Sequence, residues 1–318
     1  MRSQTKWSVI AFVTLLLFVP GFNQIQQYHL RPFAKPIFPP PFTIPTEATV
    51  PVAVSIQRPQ LTAKGAIVID QESGAILYAK NPDTQLYPAS LTKLMTALVA
   101  LDSYPLDAVL EITEESDAIG NTIHLQRGER ISVQNLLKGL LIASGNDAAF
   151  ALARSYPAGY DGFVQKMNEK ARQLHMNNTT YRNVSGVEQE GHLTTVRDMA
   201  TLTKEALKHP FVSQTVATQK LIISDVDGRF THELETTNKL LGVVPGVEGV
   251  KTGWTTEAGE CLITKTMRNG HSVITVVLGS EDRFGESAQL ISWAFGQHKW
   301  KHYSLEDWLG GRTAGTYP

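Results

Sequence analysis

The chain has 318 residues, 42% of them hydrophobic, enough apolar surface for one large domain or two small ones and too much for a disordered protein. Its formal net charge of -1 supplies no global field to recruit nucleic acid or an anionic surface, so no nucleic-acid partner is expected and recognition must be local. A single cysteine, Cys261, excludes an internal disulfide framework and a multi-cysteine metal site.

Arg2 and Lys6 precede a charge-free apolar run, Trp7 to Phe22, and the next charged residue is Arg31. Residues 1–30 therefore read as an export signal or a membrane anchor rather than a buried core helix. The run is short of the ~20 residues that usually span a bilayer. No small-x-small processing site follows it, which favours an uncleaved anchor with the basic end inside and the remainder exported. Residues 31–62 are crowded with proline and show no period of 2 or 3.6, as in a semi-rigid extended spacer. A folded domain is expected over residues 63–298, with a short tail, 299–318, in which Trp300 and Trp308 are candidates for touching a membrane surface.

Within that domain, AIVID and AILYAK flank QESG and predict a β-hairpin. PASLTKLMTAL then opens an apolar helix at about Ser90. Ser132 to Ala153 predicts a helix, a Ser144-Gly145-Asn146 break, and a second helix with Asp147 as a cap candidate. Gly162 to His175 and Thr195 to Lys208 carry the apolar spacing of amphipathic helices. From Lys220 the character changes: KLIIS, VEGVKTGW, ECLITKTM and HSVITVVLGS read as strands, and Glu286 to Gln297 as a closing helix. Strands at both ends around a helical middle predict an α+β fold, an antiparallel sheet assembled from the two chain ends and packed against helices, with a mostly helical inserted subdomain.

Three short constellations carry chemistry. Ser90 and Lys93 lie at i and i+3, so on a helix the amine reaches the hydroxyl. Serine is a poor nucleophile until a base takes its proton, and lysine is such a base only where a dry or positive setting lowers its pKa. A helix beginning at Ser90 would add backbone dipoles that favour an oxyanion. Ser144 and Asn146 can both point from their loop into a cleft, one to relay a proton and one to hold an amide; a plain helix cap is the alternative. Lys251-Thr252-Gly253 on a strand offers a cation for a carboxylate, with a glycine that admits close backbone approach; a solvated edge-strand lysine is the alternative. Each pattern alone is weak, and the order of all three is what is specific.

That order, S-x-x-K, S-x-N, K-T-G, resembles the penicillin-recognising serine acyltransferases. SGAILYAKN, PASLTKLMTAL, SGNDAA, HLTTVRDMA, TTNKLL and EGVKTGWTTEAGECL resemble in particular the low-molecular-weight penicillin-binding proteins that are D-alanyl-D-alanine carboxypeptidases, over roughly Ala63 to Phe295. The resemblance implies a β-lactamase/transpeptidase-like fold. It also implies a peptidase in which Ser90 attacks the penultimate D-alanine carbonyl of a peptidoglycan stem peptide and the terminal D-alanine leaves. Lys93 would be the base and Ser144 the proton relay; Asn146 would orient the peptide and help position Lys93. Lys251, Thr252 and Gly253 would bind substrate, the backbone N–H groups of Ser90 and Trp254 would form the oxyanion hole, and β-lactam antibiotics would be covalent inhibitors. No metal or organic cofactor is needed. The missing E-x-x-L-N pattern disfavours a β-lactamase, and the intact motif residues argue against a non-catalytic sensor or wall-binding module; an endopeptidase stays open. His192 is assigned no catalysis, Cys261 is expected to be a small buried side chain, and Arg283 is expected at the surface, with a substrate-carboxylate contact as the alternative.

Overall fold

The computed structural model describes residues 47–55, 57–113 and 120–304. The expected anchor, most of the spacer and Trp308 lie outside them. No helix among the described residues is long and apolar enough to cross a membrane.

The strands of the central sheet run in the order β3, β2, β10, β9, β8, every neighbouring pair antiparallel. Here β2 is Gly65–Asp70, β3 Ile76–Lys80, β8 Val247–Thr255, β9 Gly259–Arg268 and β10 His271–Ser280. The hairpin from the first part of the chain thus pairs with strands from the last part, as the α+β expectation requires. Both faces of the sheet are covered, which explains why AIVID and HSVITVVLGS read as continuous apolar runs. Ala66, Val68, Val273 and Val277 pack on one side with Leu290 and Ala294 of helix α7, Arg283–Gln297. Ile67, Ile69, Ile274, Val276 and Leu278 alternate with them and join the larger core on the other side.

That larger core is the helical layer. Helix α1, Lys93–Ser103, is buried from Lys93 through Ala100 and runs through its middle. Around it lie α2, Val133–Ile142; α3, Asn146–Arg154; α4, Gly159–Gln173; α5, Val196–Ala206; and α6, Pro210–Val216. Ser132 caps α2 through Asn135 N–H, and Thr195 caps α5 through Asp198 N–H. Two short ribbons attach to this layer: β4, Val109–Glu111, with β5, Arg130–Ser132, and β6, Lys220–Ser224, with β7, Thr231–Glu235.

One expectation changes at the rim. The last part of the expected spacer forms β1, Glu47–Ala53, which pairs antiparallel with β11, His298–Ser304. A strand whose segment shows no clear period 2 is stabilised by its partner rather than by its own pattern. Trp300 packs as part of the fold. Its ring stacks on Phe295 and His271, and its indole N–H donates to Asp70 Oδ1 at 2.7 Å.

Candidate active site

The Ser90 motif sits on a tight turn ahead of α1. Ala89–Thr92 forms one turn of 3₁₀ helix, and the α-helix proper starts at Lys93, three residues later than the sequence suggests. Ala89 is held at φ 47°, a left-handed conformation unusual for a residue with a Cβ. Thr92 Oγ1 donates to Ala89 O at 2.9 Å and lies 2.8 Å from His192 Nε2. His192 Nδ1 accepts from Arg182 N–H at 3.0 Å, so the proton resides on Nε2 and the ring donates to Thr92. Burial drops the His192 pKa to about 4, which keeps this neutral tautomer in place at physiological pH. His192 therefore acts behind the turn, not in the cleft.

The Lys93 amine lies 2.8 Å from Ser90 Oγ and donates to Ser185 O at 2.7 Å. Its side chain is 0% exposed. Burial, reinforced by the charge of Lys251 and opposed by Asp147, holds its pKa well below the usual lysine value. Ser185 belongs to a loop tied by Asn183, whose Oδ1 accepts from Gly186 N–H at 2.7 Å and whose Nδ2 donates to Val187 O at 2.8 Å.

A second serine–lysine pair faces the first. Ser144 stands in the break between α2 and α3 at φ 62°, and Lys251 Nζ donates to Ser144 Oγ at 2.7 Å and to Thr252 O at 2.9 Å. Lys251 is 1% exposed, and burial together with the Arg283 cation lowers its pKa to about 7. Neither residue of the Ser144-Gly145-Asn146 break is a side-chain cap: Gly145 occupies the N-cap position and Asn146 is the first helical residue. Asp147 is not at the N-cap position either, although its Oδ1 accepts from Ala148 N–H of its own first turn at 2.9 Å. Its carboxylate accepts from Ile123 and Leu125 N–H, which fastens the neighbouring loop beside the break.

Strand β8 is the edge of the sheet and forms the opposite wall. Thr252 Oγ1 hydrogen-bonds Thr237 Oγ1. The glycine of the motif serves the protein's own backbone: a Cβ on Gly253 would come to 3.0 Å from Ser90 N and from Ala89 Cβ, tighter than ordinary contact, so a side chain there would press on the nucleophile turn. Arg283, expected at the surface, instead lines the cleft and donates from Nη1 to Gly253 O at 2.7 Å. Trp254, 61% exposed, stands at the mouth. The cleft encloses about 510 Å³, with Ser90, Ser144, Asn146, Thr252, Gly253 and Trp254 all on its walls. Lys93 and Lys251 lie directly behind the two serines. Cys261 is buried in β9 with its thiol pushed up to about 11, as a small packing residue.

The arrangement can therefore activate a hydroxyl beside an amine whose charged form burial disfavours, and hold an anion beside a second lysine. The buried amines leave a mark on stability. Lys251 has a pKa of about 7 in the fold and about 10.4 when exposed in the unfolded chain, so between those values the unfolded chain binds more protons. Stability supplied by this site thus rises with pH across that window. Thermal unfolding at pH 7 and pH 9 should show wild type gaining at least about 3 °C relative to Lys251→Met; equal slopes for the two proteins would contradict the assignment.

Comparison with known proteins extends these observations. Residues 52–282 match the family Peptidase_S11, described as D-alanyl-D-alanine carboxypeptidase. The D-alanyl-D-alanine carboxypeptidase DacF of Bacillus subtilis is 37% identical over 247 residues, which cover 74% of this chain and 63% of that protein. The D-alanyl-D-alanine endopeptidase of Pseudomonas aeruginosa is 37% identical over 241 residues, covering 74% of this chain and 77% of that one. Among solved structures, the Streptomyces K15 DD-transpeptidase matches with a TM-score of 0.73 at 31% identity, over 76% of this chain and 100% of that chain. The chain spans less than two thirds of the Bacillus relative but most of the other two. With the paired serines and lysines in one cleft and the family match covering most of the described residues, the chain belongs to the D-alanyl-D-alanine carboxypeptidase family of serine peptidases.

Proposed function

We propose that this protein is a serine D-alanyl-D-alanine carboxypeptidase that removes the terminal D-alanine from peptidoglycan stem pentapeptides. The observation that carries the reading is the buried Lys93 amine 2.8 Å from Ser90 Oγ at the wall of the cleft. Burial lowers the pKa of this lysine and so favours the neutral amine, the state that takes a hydroxyl proton.

In this mechanism the substrate carboxylate is held by Lys251 and Thr252, with Gly253 beside it and the Arg283 cation behind. Asn146 orients the peptide. Ser90 Oγ forms a bond to the penultimate D-alanine carbonyl carbon while its proton passes to Lys93 Nζ. The oxyanion is met by the backbone N–H groups of Ser90 and Trp254. Collapse breaks the C–N bond, and the leaving amine receives a proton through Ser144, which Lys251 holds in place. Water then adds to the acyl-enzyme and the shortened peptide departs. β-Lactams fit the same scheme as inhibitors because their ring-opened acyl group stays on Ser90.

Ser90 is favoured over Ser144 as the nucleophile because it is part-exposed on the turn that opens α1, whereas Ser144 is buried. Free D-alanine should be released from a muramyl pentapeptide by wild type and not by Ser90→Ala; no release by wild type would remove the carboxypeptidase reading. Endopeptidase action on cross-linked muropeptides is the second reading. Its support is the similarity to the endopeptidases of Pseudomonas aeruginosa and Escherichia coli, of which the chain covers 77% and 84%. The same assay on a cross-linked dimer separates the two. The domain plan goes with this function once the rim strands are included: residues 1–30 anchor or export the chain, the proline-rich stretch ahead of β1 connects, and the enzyme, from β1 through β11, acts beyond the cytoplasmic membrane.

A further inference from the structure

The cleft carries one charge that acylation does not use. Its reactive end gathers the amines of Lys93 and Lys251 and the Arg283 guanidinium around Ser90 and Ser144. Among the described residues that line it, Glu188 is the one carboxylate. It lies exposed on the loop that follows Gly186, the same loop whose Ser185 carbonyl holds Lys93. Its Oε1 accepts from Glu257 N–H at 2.6 Å, in the β8–β9 turn. That backbone bond, with a second from the Thr255 side chain, keeps the carboxyl below the usual range and hence ionised throughout neutral pH. A carboxylate has about four acceptor sites, so these two bonds leave capacity for a ligand.

Strand β8 gives the direction in which a substrate meets this group. With the substrate carboxylate at Thr252 and the reacting carbonyl at Trp254 N–H, a peptide lying along the β8 edge advances about 3.3 Å per residue. Its acyl side therefore continues past Trp254 towards Thr255, where Glu188 is fastened across the cleft mouth.

We propose that Glu188 is a specificity-determining residue that binds a primary ammonium group on the side chain of the residue preceding the two D-alanines. This rests on the carboxypeptidase reading of the same cleft. The ligand class is a flexible, lysine-like amine, because the carboxylate stands at the mouth rather than in a closed pocket.

The test compares Nα-acetyl-L-lysyl-D-alanyl-D-alanine with its Nε-acetylated form, in wild type and Glu188→Gln. Glutamine keeps an acceptor for Glu257 N–H, so the loop stays tied while the charge is removed. Two ratios are read: kcat/KM for D-alanine release, and potency in competition with a fluorescent penicillin for Ser90. Wild type should favour the free amine by up to about fivefold, as for a partly solvated ion pair, less at high salt, and Glu188→Gln should bring both ratios to about one. Equal use of both peptides by wild type, or a preference that survives in Glu188→Gln, would overturn the proposal. If neither peptide is hydrolysed, the carboxypeptidase reading fails, and the competition ratio still decides the role of Glu188.

Discussion

Lys93→Met is expected to slow acylation of Ser90 by about 10²–10⁴-fold, the usual loss when a positioned general base is removed. Methionine is close in length to the lysine stem and fits a site that is already buried on all sides. The substitution leaves Ser185 O without the amine's hydrogen bond, which costs about 1–3 kcal/mol. It also removes an amine whose charged form the fold disfavours, so the two effects offset and the protein stays folded. Stopped-flow labelling with a fluorescent penicillin, alongside a thermal melt, reads both quantities. An acylation rate within tenfold of wild type would show that Lys93 is not the base.

Gly186→Ala should be the most damaging single methyl group in the cleft. Gly186 adopts φ 86°, and a Cβ there would fall 1.8 Å from Ala89 O and 2.9 Å from Thr92 Oγ1. The nearest contact is backbone, so no side chain can simply rotate away. Left-handed strain and overpacking together predict a loss of about 2–4 kcal/mol. The displaced group is the strained residue next to the nucleophile, so acylation should fall at least about tenfold as well, the sensitivity expected of a reacting group moved from its geometry. Gly228→Ala is the control: its φ is 68°, but the Cβ would meet open space. Chemical denaturation and penicillin labelling of both variants test this, and equal effects would show that the Gly186 contact with the nucleophile turn does not matter.

Elements whose signal is local were legible in the sequence. The hairpin before the nucleophile, the two helices around Ser144 and the strands after Lys220 follow from period, burial runs and turn residues. Strand order was less so: β10 lies between β2 and β9, and the β2 partner is about two hundred residues away in sequence. Strand β1 was invisible because its pairing with β11 supplies what its own composition lacks. At the site, the three motifs could be read because their residue types are themselves the chemistry. The groups behind them could not. Ser185 contributes a carbonyl, which has no side-chain signature, and reaches Lys93 across 92 residues. His192 reaches Thr92 across 100 residues. Arg283 opens a helix in a way that reads as surface, and only the fold turns it onto Gly253 O. Gly253 was legible as a close-approach residue, but what approaches it is the Ser90 turn.

Two serine–lysine pairs share the cleft, Ser90 with Lys93 and Ser144 with Lys251. Which serine becomes acylated is therefore the most direct question to put to this account. Intact-protein mass spectrometry after brief exposure to benzylpenicillin, followed by peptide mapping, answers it. One adduct per chain is expected, carried by Ser90 and absent in Ser90→Ala. An adduct on Ser144, or one that persists in Ser90→Ala, would contradict it.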